Sequence, residues 1–108
     1  MTLDLPKAVA AYFAADKTGG EAVSQCFTDD AVVKDEGHTY NGRAAIQKWK
    51  EEASAKYQYT SEPLACEQKD GHFMVTCRLV GNFPGSPVEL RFFFELEGEK
   101  IASLEVIP

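Results

Sequence analysis

The chain has 108 residues, 44% hydrophobic and 26% charged, a composition that excludes a disordered segment and fits one domain spanning residues 1–108. On folding it keeps roughly 6,000 Å² of about 17,000 Å² of surface exposed, which allows one core and one modest pocket and excludes a second lobe or a large cofactor domain. Its 17 acidic residues outnumber 11 basic ones, for a net charge of −6, and no basic cluster exists to replace the counterions of a nucleic acid, which excludes that partner.

Helices come first. Leu5, Val9, Tyr12, Phe13 and Asp16 form the stripe of an amphipathic helix. Pro6 fits its first turn, Asp4 is the expected N-cap, and Gly19-Gly20 ends it. A short second helix follows from Glu21, with Ala22, Val23, Cys26 and Phe27 on one face. Thr28-Asp29-Asp30 reads as a turn. From Ala31 the period changes to two: Ala31, Val33 and Asp35 point one way, Val32, Lys34 and Glu36 the other. Gly37 interrupts this strand, and His38-Thr39-Tyr40 is a second short extended piece. Asn41-Gly42 marks a turn and the start of a third helix. Ile46, Trp49, Ala53 and Tyr57 are its apolar stripe; Gln47, Lys48, Glu51, Glu52 and Lys56 are its solvated face.

From Gln58 onward the chain reads as strand. Asp70-Gly71 is a hairpin signal between Glu62–Lys69 and His72–Val80. Pro63 inside the first of these runs predicts an edge position or a bulge. Phe73, Val75, Cys77 and Leu79 make one face of the second, and Met74, Thr76 and Arg78 the other. Asn82 to Pro87 is a Gly- and Pro-rich turn region. Val88, Leu90, Phe92, Phe94 and Leu96 then alternate with Glu89, Arg91, Phe93 and Glu95. Glu97-Gly98-Glu99 turns the chain into a last strand, Lys100 to Ile107. Segregated helices followed by a meander predict an α+β fold. A strongly twisted antiparallel sheet of this size curls around its helices into a cone. The chain ends at Pro108, so no further helix is expected to cap that cone.

Cys26, Cys66 and Cys77 are odd in number and form no CxxC, and the two histidines lie far from metal-ligand spacing, so reduced thiols and no metal or other cofactor are expected. Met1 to Pro6 shows no basic region leading into an apolar run, so no signal peptide is expected. No apolar run approaches the roughly 20 residues of a membrane span. The expected compartment is the cytoplasm, with no membrane partner.

In this order, four stretches resemble the nuclear transport factor 2-like superfamily, also called cystatin-like or SnoaL-like. They are Ala8 to Phe13 (AVAAYF), Cys26 to Asp35 (CFTDDAVVKD), Tyr40 to Trp49 (YNGRAAIQKW) and Lys100 to Val106 (KIASLEV). The resemblance covers essentially the whole chain. It implies a conical α+β roll, a strongly curved antiparallel sheet packed on three N-terminal helices, with a pocket inside the cone and frequent homodimers. It does not imply one chemistry, because the superfamily holds isomerases, cyclases, epoxide hydrolases, dehydratases and binding domains.

Asp35 is the foremost candidate for chemistry. A carboxylate on the face of Ala31 and Val33 is costly without a partner, and burial raises its pKa toward the range of a general base. The other reading puts it at a strand end, in water, bound to a loop amide. Tyr12 lies on the buried stripe, either as donor to a developing oxyanion or as a core tyrosine. By resemblance, Asp35 matches the proton-shuttling aspartate, and Tyr12 the tyrosine, of ketosteroid isomerase-like members. Their late-strand protonated aspartate has no counterpart: that place falls at Phe92, or at Arg91, which faces the other way. His38 is either a proton relay at the pocket mouth or an exposed turn residue; His72 reads as exposed. Phe13, Phe27, Val33, Trp49, Tyr57, Phe73, Phe92 and Phe94 are the candidate pocket lining, or simply core. Met74, Thr76, Arg78, Arg91 and Phe93 form the expected homodimer face.

Two functions remain in view. One is a pocket protein that binds a small, mostly apolar or aromatic molecule without turnover. The other is a small isomerase, dehydratase or cyclase in which Asp35 transfers the proton and Tyr12 donates a hydrogen bond.

Overall fold

The computed structural model describes residues 5–108, so the N-cap expected at Asp4 lies outside the described residues. In chain order the elements are α1 (Lys7–Ala15), α2 (Gly20–Ser24), β1 (Phe27–Asp35), β2 (His38–Asn41), α3 (Gly42–Lys56), β3 (Tyr59–Lys69), β4 (His72–Gly81), β5 (Val88–Glu97) and β6 (Lys100–Ile107). The fold is α+β, with three helices and a six-stranded sheet in the order β2-β1-β6-β5-β4-β3. The sheet is mostly antiparallel and compatible with the curved roll. One junction departs from the antiparallel expectation: β1 and β6 run parallel. The chain leaves β1 through β2 and α3 and returns only after three further strands, the long crossover that parallel neighbours require.

The apolar stripes become the core. In α1, Ala8, Val9, Tyr12 and Phe13 are buried. Pro6 precedes the helix rather than sitting in its first turn, and its carbonyl accepts the Ala10 N–H at 2.9 Å. From the sheet come Val33, Val75, Cys77, Phe94 and Leu104, all within about 1% of full burial. The aromatic rings meet edge-on, Tyr12 against Phe13 at 5.1 Å and against Phe94 at 5.5 Å, the arrangement that ring quadrupoles favour. Of the three thiols, all free, Cys77 is buried and Cys26 and Cys66 are half-buried. Burial pushes the Cys77 thiol up to about 12. No helix among the described residues is long and apolar enough to cross a membrane.

The turn expected at Thr28-Asp29-Asp30 is instead part of β1. Phe27 pairs with Ile101 and Val32 with Ser103, so these polar residues form a bulge between two paired flanks. Asp70 and Gly71 take φ of 52° and 80°, the left-handed pair of a tight hairpin. Pro63 lies in β3, an edge strand, at a shift of register between Pro63 and Ala65. After β4 the chain is pinned to the α3–β3 junction. The Asn82 N–H donates to the Gln58 carbonyl at 3.0 Å, and Asn82 Oδ1 accepts the Gln58 N–H at 2.9 Å.

Gly81 lies directly under this clasp, where a Cβ would collide with the Gln58 carbonyl and the Tyr59 side chain. Gly81→Ala is therefore expected to destabilise the fold by about 1–3 kcal/mol, the range of overpacked sites, read by urea denaturation.

Candidate functional site

A cavity of about 400 Å³ opens between α3 and the inner face of the sheet. Alternation builds most of its wall. On β5, Val88, Leu90 and Phe92 all face inward, and Leu79 of β4 lies across from Val88. β3 adds Tyr59 and Ser61, β6 adds Val106, and α3 adds Trp49, Lys50 and Ala53, with Tyr57 just beyond. The pinned loop supplies Phe83, Pro84 and Gly85. Asp35 and Glu36 bring two carboxyl groups from the end of β1 and also border a second recess of about 250 Å³.

Asp35 is half-buried, and its Oδ2 accepts the Trp49 indole N–H at 3.0 Å. Burial raises its pKa above the usual carboxylate value. The hydrogen bond from Trp49 opposes this, the neighbouring Glu36 charge adds to it, and the Lys50 charge and the Glu36 backbone N–H oppose it. The Trp49 ring is itself held, with the Tyr40 ring 5.9 Å away and the Lys50 ammonium 4.5 Å from its centroid.

Lys50 is only 5% exposed. Its Nζ lies 2.9 Å from Asp16 Oδ1 and donates to the Tyr59 hydroxyl at 3.3 Å. Burial favours the neutral amine, but the oxygens of Tyr12, Asp16 and Tyr59 prevail and hold its pKa above the ordinary lysine value. Tyr12 is fully buried, and burial raises its phenol pKa. Among the described residues its hydroxyl is the buried side-chain group that makes no hydrogen bond.

The residues singled out in the sequence divide between two places. Asp35, Trp49, Tyr57 and Phe92 meet at the cavity. Tyr12, Phe13, Phe27, Val33 and Phe94 are buried in the core and do not form its wall. Phe73 is half-buried against that core, and His38 is exposed at the start of β2, also outside the wall. Sequence reasoning passed over Lys50, Tyr59, Ser61, Leu79 and Leu90. For Lys50 a signal existed: it stands four residues after Ile46, on the buried stripe of α3.

Three expectations follow from this geometry. Asp16→Ala leaves the Lys50 charge buried without its partner and is expected to cost about 3–5 kcal/mol, whereas Asp16→Leu with Lys50→Met is expected to be close to neutral. Urea denaturation of the two variants separates these outcomes. For Asp35, a folded pKa above the unfolded 3.8 means that ionisation costs stability above the folded pKa, and that the cost is relieved as pH falls through it. Asp35→Asn is accordingly expected to stabilise the fold at neutral pH, with the gain vanishing as pH falls to 3.8. In Trp49→Phe the lost donor is expected to raise the Asp35 pKa further, read by carboxyl-carbon NMR titration.

No curated protein matches the chain. Among solved structures, a candidate polyketide cyclase of Sinorhizobium meliloti is 39% identical, with a TM-score of 0.90 and 95% of each chain covered. A protein of Catenulispora acidiphila with a ketosteroid isomerase-like fold, in complex with trimethylamine, is 23% identical at a TM-score of 0.85, covering 97% of this chain and 87% of its own. A cystatin-fold protein of Novosphingobium aromaticivorans is 17% identical at 0.76, covering 97% and 100%. Residues 7–104 match the SnoaL-like domain. With the roll, the inward cavity and this match in agreement, the chain belongs to the SnoaL-like domain family.

Proposed function

We propose that this chain binds a small, mostly apolar organic molecule in the cavity and that Asp35 exchanges a proton with it. One observation carries the reading: a half-buried carboxyl group, tied by one oxygen to Trp49 and raised in pKa, borders a wall made mostly of Leu, Val and aromatic side chains. A carboxylate so placed is a stronger base than one in water, and the wall limits competition from solvent. The step balances simply. Asp35 takes a proton from a carbon beside a carbonyl, the C–H electron pair becomes the enolate, and the resulting acid returns the proton to the same or another carbon. The likeness to a candidate cyclase at 39% identity supports such proton-transfer chemistry. Tyr12 is not part of the reading, because it stands outside the cavity wall.

The test uses 2-tetralone, a flat ketone with acidic protons beside its carbonyl. In deuterium oxide the protein is expected to accelerate exchange of those protons, and Asp35→Asn to lose about 100-fold or more of that acceleration. Binding without accelerated exchange would leave a pocket protein and remove the proton transfer. Absence of binding would overturn the reading.

A further inference from the structure

Resting on that reading of the cavity, we propose that Lys50 and Tyr59 form its specificity-determining end, a donor pair that selects ligands carrying an uncharged acceptor oxygen such as a carbonyl. A lysine ammonium has three N–H donors and no acceptor. Asp16 takes one at 2.9 Å and the Tyr59 hydroxyl a second at 3.3 Å. Neither contact uses the third; the Tyr12 oxygen acts on the same ammonium from the core side without making a hydrogen bond of ordinary geometry. Tyr59 accepts from Lys50, which leaves its own O–H free to donate, and no acceptor for it is found among the described residues. Lys50 and Tyr59 both belong to the cavity wall.

The ammonium is also held in place. It lies 4.5 Å from the Trp49 ring centroid, 5.2 Å from that of Tyr12 and 5.8 Å from that of Tyr59. Ring faces attract the cation but offer no lone pair for a short N–H bond. A ligand oxygen does offer one.

Charge decides which oxygen. Asp16 already neutralises Lys50 across 2.9 Å, at a site where both side chains are below 10% exposure. Asp35 and Glu36 stand in the same wall, and the chain carries −6 overall. An anionic ligand would meet this acidic field, whereas a carbonyl gains the hydrogen bonds without adding charge. Nucleophilic chemistry at Lys50 is disfavoured for the same reason, since an ammonium kept protonated by Asp16 has no free electron pair.

The test compares 2-tetralone with tetralin, which shares its shape and lacks the oxygen. Binding of each is followed by NMR through the indole N–H of Trp49, the single tryptophan. 2-Tetralone is expected to bind about tenfold or more tightly than tetralin, and to shift the Lys50 ammonium signal where tetralin does not. The preference is expected to vanish when Lys50→Met and Asp16→Asn, a pair that leaves no buried charge behind, are combined with Tyr59→Phe, which removes the second donor. If both probes bind the parent protein equally, or if the preference survives in the combined variant, the donor site is overturned while the cavity reading stands. If the combined variant does not fold, the ammonium signal of the parent protein decides alone: no shift with 2-tetralone overturns the proposal. If neither probe moves Trp49, the cavity reading itself fails, and this inference with it.

Discussion

The ion pair between Asp16 and Lys50 holds together the parts on which the cavity depends. Asp16 caps the C-terminal end of α1, and Lys50 projects from the middle of α3, so their 2.9 Å contact joins two helices that are distant in sequence. Such a contact brings little net stability, because both ions give up water to make it. Its effect is on position. With Lys50 fixed, Trp49 beside it presents its N–H to Asp35, and the carboxyl group at the end of β1 acquires a defined orientation.

The sheet and the helices have different roles around this point. The aromatic core of Tyr12, Phe13 and Phe94 borders the ion pair, with the Lys50 ammonium 5.2 Å from the Tyr12 ring centroid. Toward the cavity the inward positions Leu79 and Leu90 are half-buried, packed against the core on one side and bordering the cavity on the other. A single strand shows the transition. Phe94 is fully buried, while Phe92, two residues earlier on the same face of β5, reaches the cavity.

That transition explains how far the sequence could be read. Periodicity of two and of three to four showed which side chains point inward, so α1, α3, the Asp70-Gly71 hairpin and the irregular edge at Pro63 were legible, whereas the second helix stops at Ser24, short of Cys26, and Phe27 begins β1. Local pattern cannot say whether an inward side chain packs on another or faces a void, and for that reason Phe27 and Phe94 were grouped with Phe92 as pocket candidates. Nor does it reveal partners brought together by the chain's return, such as β1 beside β6. Lys50 was obscured by its charge. Its place on the α3 stripe matched that of Asp16 on the α1 stripe, and only the fold shows that the two exceptions answer each other.

The segment from Asn82 to Pro87 bears on how such a molecule could diversify. Its backbone and side chain are clasped to Gln58 at 2.9–3.0 Å, while Phe83 and Pro84 hang over the cavity without joining the core. Changes between the clasp and β5 would therefore reshape the entrance while leaving the buried aromatic rings untouched. Ligand choice and folding are thereby partly uncoupled, and one scaffold can acquire a new guest without being rebuilt.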